Sequence, residues 1–242
     1  MKLNKVILAT LCPVVLMATA CSHSGPRSES AQQESSRDAS AEIAEATQVI
    51  RTMEADPKMK AILQKAHGVF VVPHYGQAAF GLGFKGGEGV VLIKNGMRWS
   101  DPAFYNFGGL TAGLQIGGEG GALAFILNNE KAVQQFTQKN NFSLNADAGL
   151  TVANWSKMSE AELSRADMVA WSNTKGLFGG AAIGIQDVRF NEQETQAFFE
   201  KSVKVEEILA GKLKAPHEKT NSIKQSLMAT QTINETSSPT DY

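Results

Sequence analysis

Gly81-Leu82-Gly83-Phe84-Lys85-Gly86 has the spacing of a G-x-G-x-x-G phosphate loop. Such a loop holds a pyrophosphate only when a helix follows and turns its N-terminus toward the anion. Here Val90-Val91-Leu92-Ile93 follows, which reads as a strand, so a dinucleotide site is excluded. A kinase-type hairpin fails too, because neither H-R-D nor D-F-G comes after it. His67 and His74 straddle a change of periodicity with no Cys beside them, a poor spacing for zinc, and His23 and His217 stand in polar stretches. Asp101, Asp147 and Asp167 each have an ordinary turn, strand-edge or helix reading, and no G-x-S-x-G is present. No catalytic residue, metal ligand or cofactor is assigned, and the chain reads as a non-enzyme. The residues left for binding are Lys85, Arg98, Trp99 and Lys175, bases beside aromatics at strand ends. That combination suits an anionic lipid headgroup at a membrane boundary, where each base adds about 1 kcal/mol. Trp99 and Phe178 read equally well as core.

The N-terminus carries a second chemistry. Lys2 and Lys5 precede an apolar run from Val6 to Ala20 that ends in small residues, the pattern of a cleaved export signal. The run falls short of the roughly 20 apolar residues that a spanning helix needs. Met17-Ala18-Thr19-Ala20-Cys21 resembles a bacterial lipobox, with Ala18 where Leu is usual, so Cys21 is the expected lipid attachment site. Cys12 lies within the signal, and the mature chain then holds no cysteine pair. Several acyl chains at about 0.8 kcal/mol per CH₂ anchor stably. Ser22 after the cysteine points to the outer membrane, with the domain facing the periplasm. The formal net charge of −1 becomes more acidic once Lys2 and Lys5 are lost, which speaks against nucleic acid as a partner.

The elements that must position these residues follow from periodicity. Residues 1–20 are the signal, and 21–40, rich in Ser, Gln and Glu, read as a flexible tether. The domain covers 41–211. Ile43, Ala46, Ile50 and Met53 recur at helical spacing, and Asp56-Pro57 reads as an N-cap and first position of a second helix. From Val69 the period becomes two. Short strands are expected at Val69–Val72 (ended by Pro73), Phe80–Lys85, Val90–Ile93, Met97–Trp99, Leu110–Ile116 and Ala122–Leu127. Turns are expected at Gly86-Gly87, Asn95-Gly96 and Gly117–Gly120. A short helix should follow Asn128-Asn129, and Phe142 to Val152 alternates as one half-buried strand. Ser159-x-x-Glu162 reads as a capping box. Two more strands are expected at Leu177–Ile185 and Val188–Phe190, then a helix from Asn191 to Gly211. Residues 212–242 read as a loosely held polar tail. The expected architecture is α+β, an antiparallel β-rich sandwich or barrel-like core with helices at both ends.

Eight short pieces then fall in one order. They are Ala66-x-Gly68-Val69-Phe70, Phe80-Gly81-x-Gly83, Gly87-Glu88-Gly89-Val90-Val91, Trp99-Ser100-x-Pro102-Ala103, Gly113-x-Gln115-Ile116-Gly117, Phe125-Ile126-Leu127-Asn128, Asn141-Phe142-x-Leu144 and Ser172-x-Thr174-Lys175-Gly176-Leu177-Phe178-x-Gly180. Together they resemble the SYLF domain from about Ala41 to Leu209. The resemblance implies a lipid-binding module. Eukaryotic members bind phosphoinositides and, in the yeast branch, actin; bacterial members are mostly exported lipoproteins. The chain departs from the family pattern in an acidic insert over Ser156 to Ala170 and in a less basic N-terminal helix. The expected partner is therefore membrane lipid, an anionic phospholipid or phosphoinositide-like headgroup. The alternative is an envelope protein held on the sheet face.

Overall fold

The computed structural model describes residues 29–138, 141–145, 148–174 and 185–229, with backbone only for 29–36, 77–84, 110–119 and 217. The fold is α+β. In chain order the elements are α1 (Glu29–Glu54), α2 (Pro57–Lys65), β1 (Gly68–Asn95), β2 (Arg98–Trp99), β3 (Ala103–Leu127), α3 (Glu130–Gln135), β4 (Phe142–Leu144) and β5 (Val152–Asn154). Then come α4 (Glu160–Leu163), β6 (Met168–Ser172), β7 (Ile185–Phe190), α5 (Glu192–Phe199), α6 (Val205–Leu209) and α7 (His217–Ala229).

One feature organises the rest: β3 pairs with β1 from end to end, from Leu127 opposite Gly68 to Ala103 opposite Val91. The turns expected at Gly86-Gly87 and Gly117–Gly120 do not form. Gly86 and Gly87 lie opposite Gly108 and Phe107, and Gly117 and Gly118 lie opposite Ala79 and Ala78. Gly86 and Gly87 serve close approach instead of reversal. A Cβ on Gly89 would stand 2.4 Å from the Val71 carbonyl oxygen, and one on Gly87 would stand 2.7 Å from that of His74. In a straight strand Val71 and Gly89 would be about 60 Å apart. The ribbon therefore curls until β1 packs against itself. Register breaks at Val72/Tyr75 and at Phe80/Leu82 mark where it bends. Pro73, which has no N–H to give the ladder, sits in the first of them and does not end the strand.

The remaining strands edge this ribbon. Asn95-Gly96 makes the expected hairpin, with Gly96 at φ 62° and Lys94 opposite Trp99. β6 pairs antiparallel with the end of β3, and β7 with Tyr105 and Asn106 and with β4. β5 runs parallel to β6, a departure from the all-antiparallel expectation. The single strand expected over Phe142–Val152 is two, β4 and β5 on different partners, with Gly149 at φ 74° between them. Within the insert expected to be helical, only α4 is helix, opened by the Ser159–Glu162 capping box; its end is β6. The expected strand at Leu177–Ile185 lies outside the described residues except for Ile185.

The inner face of the curl is aromatic. Tyr105 meets Phe70, Phe136, Phe142 and Phe190 edge-on at ring-centroid distances of 5.2–6.3 Å. The outer face carries helices. Ile43, Ala46, Ile50 and Met53 of α1 are buried, and α1 packs on β1, α5 and α7. Asp56 caps α2 as expected, accepting from the N–H groups of Lys58 and Met59. The helix expected from Asn191 to Gly211 breaks at Glu200, which adopts φ 58°, leaving α5 and α6.

Two boundaries differ from expectation. Helix α1 begins at Glu29, inside the stretch read as tether, and Ala39 is buried. The tail from residue 212 is not loose over its described part. α7 buries Thr220, Ile223 and Leu227, and Asp101 accepts from the Ala215 N–H at 3.1 Å and pairs with Lys224. Its few apolar residues are too sparse for a sequence period to show. Among the described residues no helix is long and apolar enough to cross a membrane.

Candidate functional site

Of the four binding residues expected from sequence, the three that are described do not share one environment. Lys85 shares the inward face with Gly87, Gly89, Tyr105 and Phe107, since residues two apart along a strand lie on one side. It is half-buried and lies across Gly109, whose Cβ would meet Lys85 Cε at 3.4 Å and Gln186 Oε1 at 3.7 Å. Burial pulls the amine below the ordinary lysine range. Arg98 is exposed on β2, beside Asn95, about 30 Å along the ribbon from Lys85. Trp99 is only 5% exposed. It belongs to the core and is not the exposed aromatic that a membrane boundary requires: the tight Asn95-Gly96 turn directs Arg98 outward and Trp99 inward. Lys175 and Cys21 lie outside the described residues.

A different constellation stands on the outer face. Glu42 comes from α1, Glu88 from β1 and Glu194 from α5, and one carboxylate oxygen of each lies within 4.8 Å of the others. Glu88 pairs in register with Asn106. Asn191, the cap of α5, donates from Nδ2 to Asn106 Oδ1 at 3.2 Å and to Glu194 Oε2 at 2.7 Å. Beside them opens a cavity of about 290 Å³ lined by Asp38, Glu88, Asn106, Asn191, Gln193 and Glu194. None of these is basic. Glu42 and Glu194 are each 9% exposed. Burial first, then the charge of Glu194, pushes Glu42 up to about 9. Burial likewise raises Glu194 to about 7. Sequence reading missed this group because its members lie on three elements far apart in the chain; only Asn191-x-x-Glu194 stood out, and as a cap.

Asp167 is a structural carboxylate. Burial opposes ionisation of Asp167, but hydrogen bonds from the Thr151 N–H and hydroxyl, from Asn129 and from Lys131 outweigh it and hold the group well below the usual carboxylate range. It thereby ties α3 to β5 and β6. His67 and His74 are exposed and face Glu130 and Glu45 at 3.1 and 2.9 Å.

The sequence of the chain also has relatives among known proteins. The family model described as "Ysc84: Las17-binding protein actin regulator" matches residues 108–230, half of the chain. The chain belongs to the Ysc84, or SYLF, family. It is 30% identical over 162 residues to the SH3 domain-containing YSC84-like protein 1 of Xenopus laevis, covering 65% of this chain and 48% of the relative. Against Protein YSC84 of Saccharomyces cerevisiae it is 26% identical over 162 residues, 64% of this chain and 34% of the relative. Against the human SH3 domain-containing YSC84-like protein 1 it is 26% identical over 160 residues, 64% and 46%. The chain thus matches half or less of the length of these relatives. No solved structure matches it.

Proposed function

We propose that this SYLF domain is a non-catalytic module that binds anionic phospholipid at the inner face of its curled ribbon, on a chain exported and anchored through Cys21 to the outer membrane. The observation that supports this reading is the position of Lys85. Its half-buried amine lies beside the glycines and aromatic rings of the inner face, where burial disfavours its charged form and an approaching phosphate would favour it through a charge-assisted hydrogen bond. Next to it along the ribbon, Phe80 lies opposite Ile116 and Phe84 opposite Leu110. Arg98, on a separate edge, is a candidate for a second contact with an anionic surface, and Lys175 remains a candidate by sequence.

Flotation with vesicles tests this, using a Cys21→Ser chain so that no acyl anchor intervenes. Binding is expected with vesicles containing phosphatidylglycerol and weak with pure phosphatidylcholine, and Lys85→Glu should reduce it about tenfold, the effect of removing one charge-assisted contact. Equal flotation of Lys85→Glu would end the assignment of this residue; no flotation on either vesicle would end the lipid reading. The second reading, a protein partner, draws on the names of relatives such as LAS seventeen-binding protein 3 of Saccharomyces cerevisiae. Cross-linking to a single envelope protein, with no lipid above background, would favour it.

A further inference from the structure

We propose that Glu42, Glu88 and Glu194 form a binding site for a hard divalent cation, Ca²⁺ by its ligand set, which fastens α1 and α5 to the outer face of the β1–β3 ribbon. Three carboxylates in one place would not by themselves make a site, since exposed acids cluster freely. Here two of them are buried, and Glu42 Oε1 is buried without a hydrogen-bond partner among the described residues. A buried acceptor left without a donor is rare, because it has lost its hydration with nothing in return. Its carboxyl group belongs to the same cluster as Glu88 and Glu194 and is hydrogen-bonded to the Glu194 carboxyl, another acid, which leaves Oε1 as the oxygen open to a cation.

The geometry fits an ion. Three oxygens within 4.8 Å of one another always leave a point no more than about 2.8 Å from each. Calcium binds oxygen at about 2.3–2.6 Å, a contraction that small side-chain rotations supply. All the nearby ligand atoms are oxygens, with no Cys or His in the cluster, which selects for a hard cation over zinc or copper. The cavity, lined further by Asp38 and by the amides of Asn106 and Gln193, leaves room for waters to complete a shell of six to eight. Mg²⁺ demands a tighter octahedron near 2.1 Å and fits the spacing less well. Among the described residues no Lys or Arg lines the cavity to take the ion's place. This site is independent of the lipid reading: it lies on the opposite face of the ribbon from Lys85.

Thermal melts of the purified chain, stripped with chelator at a pH of about 8, test the site by mass action. CaCl₂ at a hundredfold excess over its Kd should raise Tm by about 5–10 °C relative to NaCl of equal ionic strength, and MgCl₂ should raise it less. Glu88→Gln, an exposed position that leaves the fold intact, should remove most of that rise. Glu42→Gln should remove it too while melting higher than the stripped parent chain. A parent chain whose Tm does not respond to CaCl₂, with no heat of binding by calorimetry, would overturn the site and leave the cluster a pair of carboxyls sharing a proton. A response equal in parent and Glu88→Gln would place the ion elsewhere and overturn it as well.

Discussion

Lys85 and Glu88 stand three positions apart on β1, on opposite faces of one ribbon, and their surroundings are opposite in kind. The inner face owes its character to neighbours along the strand and its register partners: glycines, two aromatic rings and one lysine. The outer face at Glu88 owes its character to tertiary packing, which delivers Glu42 from α1 and Glu194 from α5 to the same spot. A charge that the strand itself presents can be read locally. One assembled from three elements exists only once the helices dock.

The sharpest way to break this contrast is to fill the inner face. Gly89→Val should cost about 3 kcal/mol or more, since its Cβ meets the Val71 carbonyl and the Phe70 ring. Gly76→Ala, where nothing lies within 4 Å, should stay within about 1 kcal/mol of the parent. Urea denaturation checks both, and similar midpoints would mean that the ribbon is not curled as described. On the outer face the expected effect is smaller and depends on pH. Glu42 and Glu194 have folded-state values of about 9 and about 7, above the ordinary 4.5. Their contribution is therefore fully present below about 4.5 and is lost as pH rises, through 7 for Glu194 and through 9 for Glu42. Without added cation, Tm should fall between pH 5 and 9, and Glu42→Gln should flatten the fall and gain about 1–3 kcal/mol at the alkaline end. Asp167 acts in the opposite sense. Its value is depressed below 3.8, so its contribution holds above that pH and is lost as pH falls further. The smallest change in stability is expected for Lys85→Met, within about 0.5 kcal/mol. Thermal melting of that variant, set beside its vesicle binding, separates a lysine kept for a ligand from one kept for the fold.

The same contrast explains what the sequence disclosed. The helix face Ile43, Ala46, Ile50 and Met53, the Asp56 cap, the Asn95-Gly96 hairpin and the Ser159–Glu162 capping box are local patterns, and all are found where their spacing places them. The glycines at 86–87 misled because turn formation and close backbone approach call for the same residue, and only the curl distinguishes them. Trp99 was ambiguous for a related reason: alternation says that Arg98 and Trp99 face opposite ways, but not which way is in. Helix α7 was missed because its burial depends on Asp101 and on α1, both remote in sequence. The acidic cluster had no local signal at all.

The packing of α7 against α1 sets a timetable. Helix α1 is made early, yet its apolar side is covered partly by β1, partly by α5 and partly by α7, so it has no complete shelter until the last of these is made. Contacts that join distant parts of a chain form slowly, and unfinished chains expose sticky surface meanwhile. A chain stopped before Ile223 and Leu227 would hold a formed ribbon and an unsheltered amphipathic helix, a target for chaperones and proteases. Completion of α7 is the event that closes the fold.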